Sequence, residues 1–406
     1  MENNIHSYDQ AYFASCSIGL ETILSKELQT FGAKKVTISR GGAEFKGDTS
    51  AIAAILNSRV ASRILKKVCS FETPNEKALY KNAVQINWSK IFDVDLTFKI
   101  QAIISNQVFS NSVYLSQLFK DAVVDSFRKA VGKRPNVRLD SPDVSLVLRT
   151  ERFKQDSIKA SIYIDLCGEP LHQRGYRITA GPAPLKENLA AGILLISEWG
   201  NNSNIFVDTM CGSGTFLIEA ALLKFDIPPC FTRIRSKKPW AIQKLNFFKQ
   251  NTQLREIFDA ELKNCSQKTI NGFKKARGSE ASIFGFDINN VAVSASKENV
   301  MLAGFSNIIK VAQADATKVS PPVNNPQALS LVLCNPPYGE RLGDIEKMGD
   351  LYYNYGENLK EQFKGYTAVI FTGNFDSAKK ISLKPQYKTP LFNGKIECRV
   401  FRYPLY

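Results

Sequence analysis

Histidine is nearly missing from this chain: only His6 and His172 occur in 406 residues. That scarcity counts against imidazole acid–base catalysis and against a histidine-ligated metal. The eight cysteines, at 16, 69, 167, 211, 230, 265, 334 and 398, stand singly, with no C-x-x-C pair. Zinc-site spacing is therefore absent, and a chain of this length needs no disulfide staples. Reduced thiols in the cytosol are the expectation, with no metal. No apolar run approaches the roughly 20 residues that cross a bilayer. The polar start, residues 1–10 with Glu2 and Asp9, does not read as a secretory signal. There is no internal repeat and no low-complexity tract.

What is present is a globular composition, 44% hydrophobic and 22% charged, long enough for two or three domains. The net charge is +15, with a pI near 9.3. A solvated basic surface accounts for this, and so does a polyanionic partner whose phosphates release counterions when Lys and Arg neutralise them. A membrane surface would call for a basic amphipathic helix with exposed Trp and Leu, and none stands out.

Hydrophobic periodicity divides the chain into three units. Residues 1–70 read as βαββα: a strand at 12–15, a helix at 18–31 capped by Ser17 and stopped by Gly32, strands at 36–38 and 43–46, and a helix at 49–65. Residues 71–166 hold a helix at 76–84, a strand at 96–102, a helix at 111–130 and strands at 144–150 and 158–166. Residues 167–406 alternate strand and helix, the pattern of a mostly parallel sheet covered on both faces. Its strands are expected at 205–209, 282–287, 309–314, 329–334, 367–372 and 396–403, and its helices at 190–199, 215–225, 290–303 and 352–363. A long, basic, mainly polar insertion at 226–280 interrupts it, a length that often marks a functional accessory.

Four strand ends carry the candidate chemistry. Asp208 precedes the loop Met210-Cys211-Gly212-Ser213-Gly214-Thr215, where glycines let the backbone turn sharply and approach a ligand. The loop is neither G-x-G-x-x-G nor a phosphate-binding nucleotide loop. Asp287 ends the next strand and Asp315 the third. Each aspartate alone could be a helix cap. The fourth strand ends in Asn335-Pro336-Pro337-Tyr338, which alone could be a proline-stiffened turn. Together they set polar groups and a ring at the carboxyl edge of a sheet, where open α/β folds bind ligands.

This ordered set resembles the class I S-adenosylmethionine-dependent methyltransferases of the amino-methylating branch. More closely, the chain resembles the THUMP-domain RNA guanine-N2 methyltransferases, and is similar to the amino-terminal half of the bacterial RlmKL-type 23S ribosomal RNA enzymes. The resemblance runs over nearly the whole chain. It rests on Gly19-Leu20-Glu21, Gly41-Gly42, Phe45-Lys46-Gly47-Asp48 and Ser62-Arg63-Ile64. More specific are Arg174-Gly175-Tyr176-Arg177, the 183–191 segment from Ala183 to Ala191, and Asn335-Pro336-Pro337-Tyr338-Gly339-Glu340-Arg341.

The resemblance implies a Rossmann-like methyltransferase sheet at 167–406, preceded by a ferredoxin-like unit and a THUMP RNA-binding domain. It implies S-adenosyl-L-methionine as cofactor, held by Asp208, Cys211, Gly212, Ser213, Gly214, Thr215, Asp287, Ile288, Asp315 and Ala316. Pro184, Lys186 and Asn188 would lie against the same cofactor, although Lys186 or Glu187 could equally be an ordinary helix start. Asn335, Pro336, Pro337 and Tyr338 would hold the target base. Lys129, Lys133, Arg134, Arg174 and Arg177 would contact RNA. The usual target in the family is a guanine of 23S ribosomal RNA. Transfer RNA, the N6 amine of adenine and a non-catalytic RNA-binding role remain alternatives. The chain ends at Tyr406 without the second methyltransferase domain of the bacterial fusions, so no second methylation is expected.

Overall fold

The computed structural model describes residues 10–105, 109, 111–154, 157–177, 185–200, 202–324, 326, 329–338 and 345–406. Among the described residues, fourteen strands form two seven-stranded sheets.

The first sheet contains β1 (Ala11–Ser15), β2 (Lys34–Ser39), β3 (Gly42–Lys46), β4 (Arg63–Thr73), β5 (Phe98–Ser105), β6 (Val144–Lys154) and β7 (Ser157–Asp165), in the order β2-β3-β1-β4-β7-β6-β5. All its pairings are antiparallel except β5 with β6. Its inward strand positions, such as Ile158, Ala160, Ile162 and Ile164, alternate with exposed or polar ones and are buried against helices. Helix Ser112–Val131 covers part of this face with Leu115, Phe119, Val123 and Phe127. It is capped by Asn111 and ends on the left-handed Gly132.

Two sequence expectations change here. The helix expected at 49–65 stops at Asn57, and residues 63–73 form β4 instead. β4 pairs with β1 on one side and β7 on the other. The break expected near residue 70 thus falls inside a strand, and the two amino-terminal regions share one sheet. Ser17 does not cap the first helix, which runs Glu21–Thr30. Glu21 instead accepts the backbone N–H groups of Gly19 and Gly41 at 2.7 and 2.8 Å, tying that helix to the β2–β3 turn.

The second sheet contains β8 (Phe206–Asp208), β9 (Ile283–Asp287), β10 (Ile309–Gln313), β11 (Leu331–Cys334), β12 (Thr367–Thr372), β13 (Tyr387–Asn393) and β14 (Ile396–Pro404). Their order is β10-β9-β8-β11-β12-β14-β13. The first five in that order are parallel, and the β13–β14 hairpin adds antiparallel to β12. Order reverses at β8, the switch point where such sheets open a crevice. β13 went unrecognised in the sequence because Pro390 interrupts it, tolerated on an outermost strand.

The 226–280 insertion is largely helical. It holds the 26-residue helix Thr252–Arg277, capped by Asn251, which buries Leu254, Phe258, Cys265, Gly272 and Ala276 and packs on helix Asp48–Asn57. Several of its basic residues are used internally. Lys244 pairs with Asp143 at 2.6 Å, Lys238 pairs with Glu169, and the Arg233 guanidinium lies 4.4 Å from the Trp240 ring centre. No helix among the described residues is long and apolar enough to cross a membrane.

Candidate active site

Parallel register brings the strand ends to one edge, with β9 running two residues past β8. Asp208 stands opposite Gly285 of β9 and Leu333 of β11, and Asp287 opposite Gln313 of β10. The loops leaving these ends bind one another. Thr209 N–H donates to Leu333 O at 3.1 Å, Cys211 N–H to Phe286 O at 2.8 Å, and Ala314 N–H to Asp287 O at 3.1 Å. Asp208, Asp287, the glycine loop and Asn335 are thereby brought to one edge.

The three carboxylates differ in what surrounds them. Asp208 is 1% exposed and accepts one backbone N–H, from Met210 at 3.2 Å. Burial pushes its pKa up to about 8, with the nearby Asp287 charge adding to the rise. Asp287 accepts Gly212 N–H at 2.9 Å on one oxygen and Asn289 N–H at 2.9 Å on the other. A carboxylate has about four acceptor sites, so Asp287 keeps capacity for a ligand's hydroxyls. Asp315 accepts the Thr317 N–H and hydroxyl at 3.0 and 2.8 Å, which holds its pKa below the ordinary carboxylate range.

The loop reaches helix Thr215–Lys224 through Gly214, whose φ of +83° closes the turn. A Cβ on Gly214 would meet Ser296 Oγ at 2.5 Å, whereas one on Gly212 would meet nothing within 4 Å. One side of the loop is thus packed and the other open. Asn299 fixes the packed side by donating to Ser213 O at 3.0 Å. Asn358 does the same for the third loop, donating to Ala316 O and Val319 O at 3.1 and 3.0 Å. Neither asparagine was recognised from the sequence, since a helical Asn gives no sign of whether it faces a loop or solvent.

After β11, Asn335 is half-buried and Pro336 buried, while Pro337 is exposed. Tyr338 turns its hydroxyl back to donate to Asn335 Oδ1 at 2.9 Å. The Tyr338 hydroxyl thus occupies one acceptor position of the Asn335 amide oxygen.

The family model for the RMKL-like methyltransferase domain matches residues 174–402. The chain belongs to this family. Ahead of it, an RlmL ferredoxin-like domain matches residues 11–65 and a THUMP domain residues 74–153. The ribosomal RNA large subunit methyltransferase K/L of Methylococcus capsulatus is 35% identical over 400 residues, covering 97% of this chain and 51% of the relative. The chain spans about half the length of the curated relatives it matches. Among solved structures, a possible methylase from Clostridium difficile 630 has a TM-score of 0.80 at 26% identity, over 98% of both chains. SMU.472, a putative methyltransferase complexed with SAH, has a TM-score of 0.80 at 24% identity, over 98% of this chain and 99% of that one.

S-adenosyl-L-methionine is the cofactor of this methyltransferase fold, and the residues at the edge suit it. Gly212 leaves its backbone open to a ligand. Asp208 offers a buried carboxyl group, and Asp287 has spare acceptor sites. Beside them Ile288 is 69% exposed, an apolar side chain next to polar strand ends. Among the described residues, no group of three or more His, Cys, Asp or Glu could hold a metal ion.

Three expected contacts are corrected by burial. Asn188 is fully buried and donates to Val60 O and Ser62 Oγ at 3.0 and 2.9 Å, so it binds the amino-terminal sheet to the methyltransferase domain rather than a cofactor. Arg174 is 4% exposed and sits 3.6 Å from Glu219, donating also to Leu171 O and Arg59 O. It has no free face for RNA. Arg177 is largely buried and donates to Leu185 O and Thr215 Oγ1 at 2.8 and 2.7 Å, bracing the segment before helix Glu187–Ile196 against the glycine loop. Lys186 is exposed ahead of that helix. Pro184 lies outside the described residues. Lys129, Lys133 and Arg134 are exposed at the end of helix Ser112–Val131.

A separate cleft of about 740 Å³ lies between helices Glu21–Thr30, Asp48–Asn57 and Thr252–Arg277. Lys26, Arg59 and Lys268 face Glu27, Asp226 and Glu261 there, a balance of charge that favours neither sign of ligand.

Proposed function

We propose that this protein transfers a methyl group from S-adenosyl-L-methionine to the exocyclic N2 amine of a guanine in RNA, with large-subunit ribosomal RNA as substrate and the cytoplasm as its site of action. The observation that carries the reading is the clustering of Asp208, Asp287 and Asn335 at the carboxyl ends of three adjacent parallel strands, with Pro336 fixing the backbone beside them. The family membership and the K/L relatives support ribosomal RNA as the substrate class.

The exocyclic amine is a poor nucleophile because its lone pair is delocalised into the ring. Asn335 Oδ1 and the Pro336 carbonyl accept its two N–H bonds. That aims the lone pair out of the base plane and favours a tetrahedral nitrogen as positive charge develops. Fixed positioning of this kind is worth up to roughly 7–11 kcal/mol at best, and acceptor dipoles aimed at the developing charge add to it. The cofactor supplies an electrophilic methyl on a positively charged sulfur. Asp208 would face the positive sulfur end of the cofactor, and Asp287, with its spare acceptor sites, would accept from ribose hydroxyls. The base reaches the edge after leaving its stack. Tyr338 then stacks on it, worth about 1–3 kcal/mol. No strong general base is needed, since the amine becomes acidic only once methylated.

The test uses labelled S-adenosyl-L-methionine with undermethylated large-subunit ribosomal RNA, transfer RNA and DNA, followed by nucleoside analysis. N2-methylguanosine in ribosomal RNA is the expected product. Label entering transfer RNA alone would move the substrate, and label entering only DNA as N6-methyladenine would overturn the reading.

A further inference from the structure

The atom proposed to receive the target amine is already engaged. Tyr338 Oη donates to Asn335 Oδ1 at 2.9 Å, and Cys398 Sγ on β14 donates to the Tyr338 hydroxyl at 3.6 Å. The ring is half-buried against core residues, and burial raises its pKa far above the ordinary phenol value, so the hydroxyl stays protonated and donating. The backbone on either side is held by other groups. Tyr338 O accepts from Asn374 Nδ2 at 2.9 Å, and Pro337 O from Tyr352 Oη at 3.5 Å. Pro336 and Pro337 have fixed φ. The ring can therefore leave by rotating about its own side-chain bonds while the loop stays in place. The hydrogen bond to Asn335, the contacts with Cys398 and Asn393 and the ring's own packing oppose that rotation.

The β13–β14 hairpin that receives the ring is braced from outside its own domain. Phe392 N–H donates to Ile18 O at 3.1 Å. A Cβ on Gly19 would lie 2.5 Å from Pro390 O. The first loop of the amino-terminal sheet thus sits directly behind the hairpin.

We infer that Tyr338 is a latch on the acceptor: its hydroxyl caps Asn335 Oδ1 in the resting enzyme, and the incoming base displaces it as the ring swings out to stack. This rests on Asn335 being the amine acceptor. Capping keeps the oxygen satisfied while no base is present, avoiding the cost of a dry, unpaired acceptor. It also lowers apparent affinity by the fraction of molecules that are open. Tyr338 is then a positioning residue in the resting state and a stacking residue in the complex.

The substitution Tyr338→Phe, in the full chain, keeps the ring and removes the hydroxyl. The KM for undermethylated large-subunit ribosomal RNA should fall about fivefold, the equivalent of one ordinary hydrogen bond. Tyr338→Ala, which removes the stacking ring as well, should raise the KM about tenfold. Opposite signs for the two variants are the signature of a latch. A Tyr338→Phe enzyme with unchanged or raised KM, or with lowered kcat at constant KM, overturns it. A second measurement needs no loss of the hydroxyl: 3-fluorotyrosine placed at position 338 should change its fluorine resonance when that RNA is added with S-adenosylhomocysteine, and an unchanged resonance also overturns the latch. Failure of the underlying reading gives a different result, namely Asn335→Ala methylating at the wild-type rate.

Discussion

In the carboxyl-terminal sheet, Asp208, Asp287 and Asn335 gather within three neighbouring strand ends, and burial alters at least one of them. In the amino-terminal sheet, charged residues are strung out instead, along the exposed edge strand β2 and beyond the end of helix Ser112–Val131. Concentrated, desolvated polar groups act at short range on one atom. Dispersed, solvated cations act on a polyanion as a screened field. Substitutions in the first set should change turnover, and those in the second should change salt-dependent binding.

The largest expected effect is at Asn335. Asn335→Ala should lower kcat by about 100-fold or more, in the range found for a lost transition-state hydrogen bond, while a filter-binding affinity for RNA stays near wild type. Equal losses in kcat and RNA affinity would blur the contrast between the sheets. Next comes Gly19, where the two sheets meet. It has φ +98°, and an added Cβ would press on Pro390 O and Leu391. Gly19→Ala should destabilise the fold by about 1–3 kcal/mol, measured by urea unfolding, and should lower methylation even under conditions where the protein stays folded.

Asp208 provides a pH test. Its folded pKa of about 8 lies above the ordinary carboxylate value of 3.8, so the folded protein binds the extra proton. The stability this lends is complete below about pH 4 and disappears as pH rises through 8. A cationic sulfur beside the group would favour its ionised form. Binding of S-adenosyl-L-methionine should therefore expel up to about one proton near pH 7 and tighten as pH rises toward 8. Calorimetry in two buffers of different ionisation enthalpy measures the release. S-adenosylhomocysteine, lacking the sulfonium charge, should release fewer protons, and Asp208→Asn should release none. The smallest effect is expected at the helix end. Reversing Lys129, Lys133 and Arg134 together to Glu should weaken RNA binding and reduce the salt slope by about one for each phosphate no longer neutralised, with cofactor affinity unchanged. An unaltered slope would mean these cations are only solvated.

Much of the methyltransferase sheet was legible because strands and helices there obey local rules. The helix at 290–303 begins at an Asn289 cap and ends at a left-handed Gly304, and both its limits were readable. The strand ends Asp208 and Asp287 also fell where expected. What was not legible depends on partners distant in sequence. β4 is a strand because β1 and β7 flank it. The helix at Thr252–Arg277 spaces its buried positions widely along a polar sequence, so composition concealed it. Arg174 read as an RNA contact because its partner Glu219 lies far along the chain, and no local signal separates an inward arginine from an outward one. Asn188 misled for the same reason, its acceptors being Val60 and Ser62.

Strand β4 has a practical consequence. A cut near residue 70, the border that motif content suggests, would sever a hydrogen-bonded rung shared by both halves and leave a raw β edge on each fragment. The ferredoxin-like and THUMP segments should therefore express, melt and exchange amide protons as one body, and any excised RNA-binding module must begin at β1.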